Sequence, residues 1–195
     1  ATDPHIAEDA LALIEVEYEL LTAVTDVREA MLAEAPILHP EMRTAVRAQG
    51  VDTPTDVSTN IATHMRLERG DLDKGFESAD VVIEREFETS WFHQGYIEPH
   101  SATAFWNRDG KLTIWNSSQG PFIQRDATAN LLKIPVQDIT VVPQEIGGGF
   151  GGKIPLYVEP VAALLSKKSG QPVRLTMTRE AVFQATGPTS ATYNR

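Results

Sequence analysis

Cysteine is absent from the 195 residues. This excludes disulfides, thiolate zinc sites, iron–sulfur ligation and a cysteine nucleophile within the chain. Long hydrophobic runs are missing as well: no stretch reaches the roughly 18 apolar residues of a membrane-spanning helix. The opening ATDPHIAEDALALIEVEYELL has no basic n-region, so no secretory leader is expected. Positive charge is scarce, with Lys+Arg 17 against Asp+Glu 27 and a net charge of −10. Such a chain repels nucleic acid and anionic membranes unless one face is locally basic. No nucleic-acid partner and no membrane insertion are therefore expected, and the expected location is cytoplasmic. There is no initiator Met, and the closing GPTSATYNR reads as a turn entering a strand, which predicts a piece of a longer polypeptide.

What is present is globular: 42% hydrophobic and 23% charged residues, enough for one domain or one and a half. Ile6, Ala10, Leu13 and Ile14 have helical spacing, with Pro4 near the first turn. Glu15–Leu21 alternates acidic and apolar residues like a half-buried strand. Asp26 suits the N-cap of a short helix through Met31 and Leu32, with Glu29 at the capping-box position. Pro36, Pro40, Gly50 and Pro54 mark residues 36–65 as a connecting segment. Beyond it the pattern predicts a helix over 72–79 and strands over 81–89, 102–106 and 112–115, the last two joined by a hairpin at Asp109-Gly110. Then come a helix over 122–132, a strand over 139–142, a helix over 157–168 closed by Gly170, and a strand over 172–178. The expected fold class is α+β, mixed helix and strand.

Glycine is concentrated in one place. Gly147-Gly148-Gly149-Phe150-Gly151-Gly152-Lys153 sits between a predicted strand and a predicted helix. Glycines so dense cost backbone entropy, but they let main-chain N–H groups converge on an oxyanion, aided by the following helix N-terminus. The structural alternative is a tight loop needing several positive φ angles. Gly147-x-Gly149-x-x-Gly152 satisfies the dinucleotide fingerprint literally, but no opening βαβ unit is apparent around it, and Phe150 fills the approach. Gly147-x-x-x-x-Gly152-Lys153 matches a P-loop until Ile154, where the Mg²⁺-binding hydroxyl should stand, and Pro155 follows at once.

With HQGYIEPH (93–100), SSQGPF (117–122) and QDITVVPQEIGGGF (137–150) upstream in order, GGGFGGK resembles the molybdenum-binding large subunit of the xanthine dehydrogenase/aldehyde oxidase/carbon monoxide dehydrogenase family. The resemblance runs from about Arg66 to the last residue. Residues 1–35 resemble the end of an α/β-hammerhead domain, and 66–195 the first, truncated part of the molybdopterin-binding domain. The resemblance implies an oxidoreductase that hydroxylates aldehydes, N-heterocycles or similar small molecules with oxygen from water. It implies a molybdenum–pterin cofactor in the cytosine dinucleotide form, and partner subunits or domains carrying [2Fe–2S] clusters and FAD in an oligomeric enzyme. It places Gly148, Gly149, Phe150, Gly151 and Gly152 against the cofactor and provides no protein ligand to the metal, so that cysteine is not missed.

Three departures bear on the chemistry. Xanthine-oxidising members carry Glu where this chain has Ile154, which points away from purines towards aldehyde oxidase-like or carbon monoxide dehydrogenase-like members. A Gln expected six positions before Glu98 is Phe92 here, with Gln94 a substitute if the strand is bulged. The general-base Glu lies in a downstream motif that this chain does not contain, so no catalytic residue is expected here and residues 1–195 alone are expected to be inactive. A non-catalytic binding or assembly module of the same fold is the alternative, favoured by Phe92.

Among other polar residues, Glu98 and His100 share one face if they lie on a strand, with His93 near; a polar cluster is preferred over a metal site because no third ligand has recognised spacing. Gln119 either donates to the cofactor or caps the helix after it. Tyr157 belongs to the pocket or to the helix core. Trp91, Trp106 and Trp115 are read as core or interface packing, and Asp3, Glu8, Asp9, Glu15, Glu17 and Glu19 as a solvated face.

Overall fold

A computed structural model describes residues 1–48, 51–187 and 189–195. Gly50, a breaker in the expected connecting segment, and Pro188, in the closing turn, lie outside the described residues. The chain divides into two compact units, Ala1–Val82 and Ile83–Arg195.

In the first unit, helix α1 (Pro4–Leu11) starts where Asp3 Oδ1 accepts the Ile6 N–H at 3.0 Å. Helix α2 (Val27–Ala30) starts at Asp26, whose Oδ1 accepts from the N–H groups of Arg28 (2.8 Å) and Glu29 (3.1 Å). Between them Glu15–Leu21 is irregular and exposed, not the expected strand. Alternation supplies a face but not a ladder, and no described residue pairs with this stretch. Conversely, the expected connection at 36–65 contains strands β1 (Ala45–Ala48) and β2 (Val51–Pro54) and the start of β3 (Thr63–Arg66), in the order β2-β1-β3. β1 runs antiparallel to β2 and parallel to β3. Strands this short leave little periodicity among the prolines. Asn60 clasps the surrounding loop, its Nδ2 donating to Ala30 O and Pro36 O while its Oδ1 accepts from Leu38 N. Helix α3 (Leu72–Glu77) is capped by Asp71.

The second unit is built on a four-stranded sheet. Strand β4 (Phe87–Thr89) pairs antiparallel with β9 (Thr192–Asn194), so only the end of the expected 81–89 strand forms. β5 (Ser101–Trp106) and β6 (Leu112–Asn116) form the expected hairpin, with Gly110 at φ +88° in its turn. Helix α4 (Pro121–Leu132) returns the chain to β7 (Ile139–Pro143), which lies parallel to β6. Helix α5 (Glu159–Ser169) ends at Gly170 in the left-handed region, φ +66°. β8 (Val173–Thr176) pairs antiparallel with β5, and helix α6 (Arg179–Ala185) comes next. The sheet order is β7-β6-β5-β8.

One sheet face carries Ala102, Ala104, Leu112, Ile114 and Ile139, all buried, and packs against Ala129 of α4 and Ala162 and Ala163 of α5. Alanine on both β5 and α5 lets helix and sheet approach closely. Because β6 and β7 are parallel neighbours with Asn116 opposite Pro143, both strands end at the same sheet edge. The Ser117–Gly120 turn and the glycine loop leave from those two ends, side by side. Ligands bind α/β sheets at such edges, beyond the carboxyl ends of parallel strands. A βαβ unit (β6, α4, β7) is therefore present, but it precedes the glycine loop; past the loop, α5 leads into β8 and an antiparallel pairing. Among the described residues no helix is long and apolar enough to cross a membrane.

Candidate functional site

Gln119 is the residue against which the glycine loop is built. Its Oε1 accepts from the N–H groups of Gly151 (3.0 Å) and Lys153 (3.2 Å), and its own N–H donates to Lys153 O at 3.0 Å. A Cβ on Gly149 would collide with that same oxygen. Gln119 therefore does not cap α4, which has no side-chain cap. At the opening of the loop, Gly147 N–H donates to Glu98 Oε2 at 2.7 Å and Glu98 N–H donates to Gly147 O at 3.2 Å. A Cβ on Gly147 would stand 2.5 Å from Glu98 Cβ. Gly152 N–H turns inward to Gly149 O at 2.7 Å.

Three N–H groups remain. Those of Gly148, Gly149 and Phe150 have no hydrogen-bond partner among the described residues. Gly148 sits at φ +92°, Phe150 at +48° and Gly151 at +89°. Phe150 is the informative one, since a bulky side chain in the left-handed region is strained and persists only when its surroundings hold it there. Its ring is 74% exposed beside the loop. Successive unengaged N–H groups in such a backbone form an anion-binding concavity. The helix dipole expected to assist is not at the loop: α5 does not begin until Glu159.

Lys153 does not extend towards this concavity. It is 1% exposed, with Nζ bonded to Glu98 Oε2 and 5.2 Å from the centroid of the Tyr96 ring. Burial pushes the Glu98 carboxyl up, but the Lys153 ammonium and the Gly147 N–H outweigh it and hold the group below the usual carboxylate range. A phosphate-gripping role of the P-loop kind is thereby closed to Lys153 as well as to Ile154.

Glu98 and His100 do not share a strand face. Both precede β5 on irregular chain and bond different partners, Glu98 the loop and His100 Nε2 the Tyr96 hydroxyl at 2.6 Å. His93 Nε2 meets Thr186 Oγ1 at 3.0 Å, and Thr186 in turn meets the Tyr96 hydroxyl at 2.9 Å. Burial first, then the Lys153 and His93 charges, lower His100 to about 4 against the opposing pull of Glu98. Among the described residues no group of His, Asp and Glu could hold a metal ion. Gln94 needs no bulged strand, because the chain there is irregular, with Gly95 at φ +66°. Its Oε1 is buried without a partner, 3.3 Å from where a Cβ on Gly152 would lie. Phe92, at the expected glutamine position, is 60% exposed and bridges to Thr189. Tyr157 stands ahead of α5, its ring 4.5 Å from His100 and its hydroxyl accepting from Gly187 N–H at 3.3 Å. Trp91 is exposed rather than core, Trp115 lies on the open sheet face, and Trp106 stacks under Lys167 at 4.2 Å.

Sequence reasoning missed the supports beneath the loop. Gln124 of α4 donates through Nε2 to Lys153 O (3.3 Å) and Pro155 O (2.9 Å). Asn116 Nδ2 donates to Gln124 Oε1 and to Glu159 Oε1, both at 2.7 Å, and Glu159 Oε2 accepts from Tyr157 N–H at 2.8 Å. All three side chains are buried. The available signal was polar residues at inward positions: Asn116 continues the alternation of Leu112 and Ile114, and Gln124 lies on the inner face of α4.

The family model described as molybdopterin cofactor-binding domain matches residues 53–195. The chain is 30% identical over 180 residues to the nicotinate dehydrogenase large molybdopterin subunit of Eubacterium barkeri, covering 92% of this chain and 38% of that protein. It is 35% identical over 207 residues to a "probable hypoxanthine oxidase" of Escherichia coli, covering 95% of this chain and 21% of the relative. Among solved structures it resembles the reconstituted CO dehydrogenase of Oligotropha carboxidovorans with a TM-score of 0.74 and 29% identity, over 96% of this chain and 23% of that one. The chain thus spans well under half the length of these relatives.

Proposed function

This chain belongs to the molybdopterin cofactor-binding domain family, and on that premise we propose that it contributes the glycine loop that holds a molybdenum–pterin cofactor in an oxidoreductase of small organic molecules. The observation that carries this reading is the row of unengaged N–H groups at Gly148, Gly149 and Phe150. Anionic oxygens fit it, and the donors are main chain, leaving no side-chain bulk at the point of approach. Gln119 adds to the fit: its Oε1 is committed to the loop while its Nε2, on an exposed residue, has no described partner and can donate to a cofactor oxygen. Gly151 and Gly152 shape the loop, because their N–H groups are already spent on Gln119 and Gly149. The Phe150 ring forms one wall of the substrate pocket. Gln94 is proposed to reach the cofactor through its Nε2, since its Oε1, an acceptor, is buried beside Gly152.

The bound cofactor supplies the two-electron oxidation, with water as the oxygen source. The residues of this chain bind and orient it; Ile154 stands where purine-oxidising members carry a carboxylate, which suits an aldehyde or another N-heterocycle better than a purine. The form of the pterin is proposed to be the cytosine dinucleotide. Residues 1–35 are proposed as the end of a hammerhead domain, with [2Fe–2S] and FAD on partner subunits or domains, the whole enzyme being oligomeric and cytoplasmic. The test is elemental analysis of the intact protein from its source. Near one molybdenum per large chain is expected; a folded, partner-associated, metal-free protein would sink this reading in favour of a non-catalytic assembly module.

A further inference from the structure

Lys153 is the most completely engaged residue of the loop. Its N–H goes to Gln119 Oε1, its carbonyl accepts from Gln119 N–H and Gln124 Nε2, and its ammonium is bonded to Glu98 in a place with 1% exposure. The partner carboxylate is itself shared: the Glu98 Oε2 that takes the ammonium also takes the N–H of Gly147. One oxygen therefore joins the residue that opens the glycine loop to the residue that closes it. The three unengaged N–H groups lie between these two fixed points. A loop of glycines has many conformations of similar energy, so donors aimed in one direction need their ends tied.

We infer that Lys153 and Glu98 act as a positioning pair, clamping the two ends of the glycine loop so that the Gly148, Gly149 and Phe150 N–H groups converge on the cofactor. This rests on the proposed cofactor role of the loop. The pair touches neither cofactor nor substrate; it acts through the main chain it holds. Removing Glu98 alone strands the buried Lys153 ammonium and destabilises the fold for a reason unrelated to positioning, whereas the Glu98 side chain is 32% exposed. The informative variant is accordingly the double one, Lys153→Met with Glu98→Gln, which is neutral and nearly isosteric.

The experiment is done on the intact enzyme, reading the thermal midpoint, molybdenum per chain, kcat and KM, and the Mo(V) paramagnetic resonance signal. Glu98→Gln alone, which leaves the buried ammonium without its counter-charge, is expected to be unstable and poor in molybdenum. The double variant is expected to regain the parental midpoint and molybdenum content, while its kcat stays down by about 10- to 100-fold at unchanged KM and its Mo(V) signal is shifted. A double variant with parental kcat and parental signal overturns the inference. If the double variant does not fold, Lys153→Met alone, which removes the buried ammonium and leaves Glu98 partly exposed and bonded to Gly147 N–H, is read by the same criteria. A parent enzyme without molybdenum removes the cofactor reading and this inference together, whereas a molybdenum-replete parent with an indifferent variant removes the inference alone.

Discussion

At Gly149 the Gln119 carboxamide oxygen occupies the space a Cβ would need, so Gly149→Ala must displace that side chain and break its bonds to the Gly151 and Lys153 N–H groups. The expected result is a folded protein that loses most of its molybdenum, about tenfold or more, read by metal analysis of the intact enzyme. Gln119→Leu removes the acceptor for two N–H groups and is expected to cost about 1–3 kcal/mol in denaturant unfolding. His100 gives a pH signature. Its folded value of about 4 lies below the ordinary histidine value, so between pH 6.5 and 4 the unfolded chain binds the extra proton. Stability contributed by the neutral imidazole is present above pH 6.5 and is lost as pH falls through that window, by up to about 3 kcal/mol. Chemical denaturation at pH 7 and pH 4.5 checks this, and His100→Gln should flatten that part of the pH profile.

Packing of α5 on β5 decides where the glycine loop ends. Ala162 and Ala163 meet Ala102 and Ala104 with no exposed area to spare, and Glu159 at the helix start is pinned to Asn116 on β6. Ala163→Leu is expected to overpack this layer and destabilise by about 1–3 kcal/mol. Asn116→Ala, which strands Gln124 Oε1 and Glu159 Oε1 in a buried setting, should cost at least as much, and Asn116→Ala should also loosen Lys153 and Pro155 through Gln124. Denaturant midpoints measure the first effect; faster proteolysis within 147–155 measures the second. The elements themselves were differently legible. Helices with side-chain caps, such as the one after Asp26, and the Asp109-Gly110 hairpin arise from local chemistry. Glu15–Leu21 and the strands within 45–66 do not, because a strand exists only with its partner and the pairing is non-local.

For the molecule as a whole, the relatives are far longer than this chain, and one glycine-rich loop supplies only part of a cofactor's surroundings. Residues 1–195 expressed alone are therefore expected to show no measurable aldehyde or heterocycle oxidation beside the intact enzyme under the same assay. Turnover comparable with the intact enzyme would contradict the view that the base and most cofactor contacts lie elsewhere in the polypeptide.

By itself the sequence determined the mixed α+β class, the order of the main helices and strands of the second unit, and the family, because these rest on local periodicity and on motifs that are contiguous in the chain. It also marked residues 147–153 as the place to look. Only the tertiary structure decided which N–H groups of that loop are free and which are spent. Glu98, the stretch holding Gln119 and Gln124, and the loop come from three segments, and they meet because β5 begins where β6 ends and β6 and β7 end side by side. Nothing in their spacing encodes that meeting; it is a consequence of strand pairing, which brings distant residues together through hydrogen bonds that local sequence does not specify.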